Sequence, residues 1–175
     1  MRVSCCVLAS LSVALPASAQ KIDIPDWKHA VKFELVSSQE PIRPGDSFEV
    51  ALLASIQPGY HLYGPNEPEP SRTRVSVAGE SLQAGKIAYP PVVRRDLSGL
   101  GEYDLYEGQI AVRVPVTASK SFSGTNLKAS LQVEYQLCTD FACSAPTKET
   151  LSLDLRGSKP GSPVEKLNPE VFRKQ

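Results

Sequence analysis

Cys138 and Cys143, with four residues between them, carry the most reactive chemistry this chain can offer. They lie in the run Tyr135-Gln136-Leu137-Cys138-Thr139-Asp140-Phe141-Ala142-Cys143-Ser144-Ala145-Pro146. A pair so spaced can close a six-residue ring if its Cα atoms approach within roughly 4.4–6.8 Å. As a stabiliser such a ring is weak: the chain-entropy model gives about 2 kcal/mol, against about 5 kcal/mol for a hundred-residue loop. The chain before the pair reads as a strand and restarts as one after it. This is a poor place for a staple and a good place for a dithiol that reacts by thiolate attack on a disulfide sulfur. On spacing alone a small surface staple, or an idle reduced pair, stays open. Zinc is disfavoured, because two thiols and two distant histidines, His29 and His61, make a poor four-ligand set. A copper site of Cys, His and Tyr is weaker still, since Met1 is the only methionine. No organic cofactor or metal is expected.

The other two cysteines, Cys5 and Cys6, fall in an N-terminal stretch with a secretory pattern. Arg2 supplies the positive end, Val3 to Leu15 is apolar but for three serines, and Ala17-Ser18-Ala19 is a small-x-small cleavage site. Residues 1–19 are therefore expected to leave as a signal peptide, taking Cys5 and Cys6 with them. The run is too short to span a bilayer, and no later segment is apolar enough to do so. The product is expected to be periplasmic and not membrane-inserted. Disulfides persist in such a compartment, so a cycling pair there needs a reducing partner. Loss of Arg2 from nineteen basic residues leaves eighteen against nineteen acidic ones, a net charge near −1. With no basic patch or charge run, nucleic acid is not an expected partner.

The elements that must position the dithiol read as β throughout. Val31–Val36 alternates apolar and polar, and Ser47–Ala54 follows the turn signal Arg43-Pro44-Gly45-Asp46. Tyr60–Tyr63, Arg74–Val77 and Lys86–Tyr89 are shorter candidates. Leu105–Val116 and Leu127–Leu137 are the longest, and Thr150–Leu155 closes the set. Seven to nine short strands without a convincing amphipathic helix predict an all-β, immunoglobulin-like antiparallel β-sandwich over residues 20–156. Residues 157–175, rich in Pro, Gly, Ser and Lys, are expected to form a flexible C-terminal tail.

The run Tyr-Gln-x-Cys, four residues, Cys-x-x-Pro, then Thr147-Lys148 and an alternating strand, resembles the N-terminal periplasmic domain family of the thiol:disulfide interchange protein DsbD. Upstream, Pro58-Gly59-Tyr60-His61-Leu62-Tyr63 is similar to the family's Gly-aromatic-aromatic-x-Tyr segment. Tyr106-Glu107-Gly108 and the strand end Val114-Pro115-Val116 match in order and spacing. The resemblance runs from about Val31 to Leu155. It departs at Ser144-Ala145-Pro146, where residue-Pro-Pro is more usual.

The resemblance implies a sandwich with the dithiol at its edge. It implies that Cys143 forms mixed disulfides and Cys138 resolves them. Electrons would come from a membrane-embedded dithiol donor through a thioredoxin-like domain, and pass to oxidised periplasmic proteins. Tyr60, His61, Tyr63 and Tyr135 become site-lining candidates, although plain core or edge packing explains such aromatics equally well. The family covers its dithiol with a cap loop that maps to Arg94–Tyr103. Leu97 and Leu100 stand where the family carries an aromatic, and Gly99 and Gly101 would permit opening. Arg94 and Arg95 would either lower a thiol pKa or simply be solvated. The resulting expectation is a protein-disulfide reductase component acting by thiol-disulfide exchange. The rival is a secreted β-sandwich binding module whose disulfide is purely structural.

Overall fold

A computed structural model describes residues 25–78, 82–97, 99 and 101–173. The signal-peptide reading and Leu100 lie outside these residues. In chain order the strands are β1 (Val31–Ser37), β2 (Gln39–Glu40), β3 (Ser47–Ile56), β4 (His61–Tyr63), β5 (Arg74–Ala78), β6 (Leu82–Ala84) and β7 (Val93–Asp96). They continue as β8 (Glu102–Tyr106), β9 (Gln109–Ala118), β10 (Asn126–Tyr135), β11 (Leu137–Cys138), β12 (Thr147–Arg156) and β13 (Glu165–Lys166), followed by a single helical turn, α1 (Pro169–Phe172).

The expected immunoglobulin-like antiparallel sandwich is the observed architecture. One sheet runs β1-β3-β9-β6 and the facing sheet β12-β10-β5. Strand side chains alternate between faces, so apolar residues at every second position share one side. Phe48, Val50 and Leu52 on β3, Val112, Val114 and Val116 on β9, and Leu127, Ala129, Leu131 and Val133 on β10 meet in one buried core between the sheets. A third sheet, β11-β4-β8-β7, stands at one end and carries the cysteines.

Three strand readings need correction. Leu105–Val116 is not one strand: it folds back at Gly108, whose φ of 65° suits a tight turn, and becomes β8 in the end sheet and β9 in the sandwich. Leu127–Leu137 likewise breaks at Gln136, where the chain leaves the sandwich as β10 and enters the end sheet as β11. Lys86–Tyr89 forms no strand. Ala88 makes an isolated bridge to Arg113, the edge of the sheet is taken by β6, and Pro90-Pro91 cannot donate to a ladder.

Residues 157–173 are laid back on the domain rather than standing off as a tail. β13 pairs with β2, Asn168 Nδ2 donates to the Ser37 carbonyl at 2.9 Å, and Lys166 Nζ donates to Gln39 Oε1 at 2.6 Å. At the far end Arg113 donates to the Arg173 carbonyl at 2.8 Å. Side-chain and backbone partners offset the chain entropy that composition alone suggests would keep this stretch loose.

Candidate functional site

The end sheet divides core from chemistry by strand parity. Leu137 pairs with Leu62 and Leu62 with Tyr106, and these three join Ala30 and Ile56 in a second buried cluster. One step along each strand the side chains point the other way. There Cys138 pairs with His61, Tyr63 with Leu105, and Tyr103 with Arg95. Directly opposed residues in an antiparallel ladder share a face. Cys138, His61, Tyr63, Leu105, Tyr103 and Arg95 therefore line the face that the core does not use.

Cys138 and Cys143 are joined as a disulfide, with Cα atoms 4.0 Å apart. The ring between them is a small hairpin in its own right. Thr139 N donates to the Ala142 carbonyl at 2.8 Å, and Thr139 Oγ1 accepts from Ala142 N at 3.1 Å. Just outside the ring, Ser144 N donates to the Leu137 carbonyl at 2.8 Å and Gln136 Nε2 donates to the Ser144 carbonyl at 2.8 Å. The two halves of the bridge differ in access: Cys138 is 0% exposed, whereas Cys143 is exposed. Phe141 between them is 91% exposed. Only the Cys143 half of the bridge is open to solvent.

His61 is fully buried beside Cys138. Its ring meets Tyr63 edge-on at 5.6 Å, and Tyr63 meets Tyr103 in the same way at 5.6 Å. Burial, and then the Arg95 guanidinium, hold the His61 imidazole below its ordinary range, against smaller opposing pulls from Asp140 and Glu107. Burial likewise raises the Tyr63 phenol. Neither group carries charge near neutral pH.

Arg95 ties these parts together. One of its terminal nitrogens lies 2.7 Å from Asp140 in the cysteine ring, 3.0 Å from Glu107 and 3.4 Å from His61 Nδ1. Two carboxylates thus balance the cation, and the arginine acts more as a clasp than as a source of positive potential. Arg94, on the opposite face, pairs with Asp104 at 3.2 Å. The expected cap is the tip of the β7–β8 hairpin. Asp96 Oδ1 accepts from Gly99 N and Gly101 N, and Leu97 N donates to the Gly101 carbonyl at 3.2 Å. Gly99 and Gly101 have φ of 80° and 116°, which only glycine adopts at low cost. Leu97 is 5% exposed yet belongs to neither core cluster.

Tyr60 and Tyr135 are engaged elsewhere. The Tyr60 hydroxyl accepts from Asp26 N at 2.8 Å and its ring packs edge-on against Trp27. Tyr135 packs against Phe33 with centroids 5.0 Å apart. Both support the core beneath the site. Asp140, Tyr103 and Gln136 were not read from the sequence as site residues. Asp140 carried a signal, a lone carboxylate inside the cysteine ring. Gln136 stands in the Tyr-Gln-x-Cys run but without a role there, and Tyr103 becomes legible only once the register is known. Among the described residues, no three His, Cys, Asp or Glu side chains converge as a metal site, and no helix is long and apolar enough to cross a membrane.

Fold and site together define a β-sandwich bearing a half-exposed disulfide on an end sheet. Residues 30–155 match the family model for the N-terminal region of the thiol:disulfide interchange protein DsbD, and the chain belongs to that family. The thiol:disulfide interchange protein DsbD of Actinobacillus pleuropneumoniae serotype 5b (strain L20) is 28% identical over 111 residues, which are 63% of this chain and 17% of that protein. The chain thus matches only a small part of its curated relative. Among solved structures, the N-terminal periplasmic domain of ScsB from Proteus mirabilis is similar with a TM-score of 0.51 and 14% identity, over 77% of this chain and 49% of that one. The reduced N-terminal domain of DsbD from Neisseria meningitidis is similar over 78% of this chain and 90% of that one, with a TM-score of 0.44 and 14% identity.

Proposed function

We propose that this chain is a periplasmic thiol:disulfide interchange module that passes electrons through Cys138 and Cys143. The observation that carries the reading is the unequal access of the two bridged cysteines, one buried and one exposed. A partner thiolate attacks Cys143 Sγ, the bond to Cys138 breaks, and the partner is held as a mixed disulfide. Attack by the partner's second thiol on its own bridged sulfur then frees Cys143 and leaves the reduced dithiol. In the second half-reaction the Cys143 thiolate attacks the disulfide of an oxidised exported protein. Cys138 resolves that complex, which restores the bridge and releases the reduced client.

The electron donor is a membrane-embedded dithiol protein or a thioredoxin-like domain, in keeping with the family. Leu97 and the β7–β8 hairpin shield Cys138, the buried half of the pair, between encounters, and the clasp from Arg95 to Asp140 closes that shield. Tyr63 and His61 form its floor. A Cys138→Ala variant is expected to trap a covalent complex with a thioredoxin-like partner, visible on a non-reducing gel, whereas Cys143→Ala is not. The opposite pattern would exchange the two roles. No complex with either variant, despite native folding, would favour a binding module with a structural disulfide.

A further inference from the structure

We propose that His61 is a catalytic residue of the exchange reaction, donating a hydrogen bond from Nε2 to the Cys138 sulfur as that sulfur becomes a thiolate. The inference rests on the exchange role above and assigns the group that stabilises its buried leaving sulfur. Burial of a thiolate is costly unless a donor meets it. Cys138 is fully buried, so its departure from Cys143 places negative charge where water does not reach.

The tautomer follows from the surroundings. A guanidinium has donors only, and Arg95 places a terminal nitrogen 3.4 Å from His61 Nδ1. Asp140 Oδ1 is 3.9 Å from the same atom, beyond hydrogen-bonding range. Arg95 shares that nitrogen with Asp140 and Glu107; we assign Nδ1 as the acceptor facing it and the proton of the neutral ring to Nε2, the tautomer that the NMR measurement below tests. That nitrogen is buried and has no hydrogen-bond partner among the described residues. An orphaned buried donor calls for an explanation. The cross-strand neighbour of His61 is Cys138, whose bridged sulfur accepts weakly and whose thiolate accepts strongly. The donor is left unmatched in the disulfide form and is satisfied when the bridge opens.

Electrons balance without a proton changing hands. The partner thiolate's pair forms the bond to Cys143 Sγ, the Cys138–Cys143 pair departs with Cys138, and Nε2–H binds the resulting anion. In reverse, the Cys138 thiolate leaves that hydrogen bond to attack Cys143 Sγ and expels the partner as a thiolate. Arg95, Glu107 and Asp140 are the charged groups facing the ring, and Tyr63 is its titratable neighbour.

Titration of the Cys138 thiol in a Cys143→Ser background, followed by thiolate ultraviolet absorbance, tests the assignment. His61→Phe keeps the ring's bulk without the donor and is expected to raise the Cys138 pKa by about one to two units, the worth of a hydrogen bond to a charged group. His61→Gln retains an N–H and is expected to restore most of the shift, which a merely structural role would not produce. Coincident titrations of the His61→Phe variant and its parent, with exchange by the unmutated protein intact, would overturn the role of His61 alone. Nitrogen NMR on the unmutated protein supplies a readout that no folding defect can cloud. The Nε2–H tautomer is expected in the oxidised form, with its proton signal moving on reduction, and an Nδ1–H tautomer would overturn the proposal. Absence of exchange by the unmutated protein, with these shifts present, would overturn the exchange role and leave the contact standing.

Discussion

Reduction of the Cys138–Cys143 bridge is expected to leave the domain folded. The ring spans six residues, so its chain-entropy contribution is about 2 kcal/mol. One fully buried Leu or Val contributes about 1.5–3 kcal/mol, which makes the bridge equivalent to a single core position. Among the described residues the larger core contains sixteen that are buried, none of them in the ring. The ring is also held from outside the bridge, by Thr139 to Ala142 and by Ser144 and Gln136 across its base. At about 2–4 °C per kcal/mol for a chain of this size, reduction lowers the unfolding midpoint by about 4–8 °C. The assay is thermal unfolding followed by circular dichroism, with and without a phosphine reductant, alongside the Cys138→Ser, Cys143→Ser double variant. A reduced protein already unfolded at room temperature would refute the reasoning. It would show that the bridge is structural, because a module that cycles must be folded in both states.

Three further outcomes are expected. Leu97→Ala should speed alkylation of the reduced protein several-fold while changing exchange with a thioredoxin-like partner less, since docking opens the hairpin tip anyway; equal alkylation rates on folded protein would refute the cap. Asp140→Asn removes one arm of the Arg95 clasp, and a half-exposed ion pair is worth about 0–1 kcal/mol, so alkylation should rise by at most about fivefold. Added salt should produce the same rise in the unmutated protein but not in the variant, and salt-independent rates in both would refute the clasp. Because His61 is held below its ordinary range, the unfolded chain takes up the proton first as the pH falls. That contribution to stability is full above about pH 6.5 and is lost between there and the lowered folded-state value. Asp26 and Glu134, whose carboxyls are lowered, act at more acidic pH. The unfolding midpoint should therefore fall from about pH 7 to about pH 5.5, less so in His61→Gln, and a flat profile would refute the assignment.

Much of the sandwich was legible because period-2 alternation is a local signal. Val31–Val36, Ser47–Ala54, Arg74–Val77 and Thr150–Leu155 each lie within an observed strand. Two of the misreadings fall where the chain changes sheets. At Gln136 the alternation Val133, Tyr135, Leu137 runs on across the change, and only the tertiary fold records it; at Glu107-Gly108-Gln109 a polar, glycine-bearing turn signal was read through. Lys86–Tyr89 has strand composition, but Ile87 and Tyr89 pack on the core from a loop without joining a ladder. At the site, Cys138 and Cys143 announced themselves by spacing. The aromatic run did not reveal that Tyr60 would turn to Trp27 while His61, one residue on, would face the cysteine. Arg95 was read as a neighbour of uncertain use because its two carboxylates are distant in sequence.

The division of the end sheet into two faces puts Leu62 and His61 in antiphase, and every strand that pairs with them inherits the same beat. A single residue inserted into β4 or β8 would carry the cysteine's neighbours into the core and turn Leu62 and Tyr106 outward. The chain therefore cannot retune the surroundings of its disulfide by lengthening these strands, because each odd step costs it the core. Length can change without that penalty only where no ladder transmits the shift, in the ring between the cysteines and at the tip of the hairpin above them. The shape around the disulfide can be adjusted at those two places while the sandwich stays as it is.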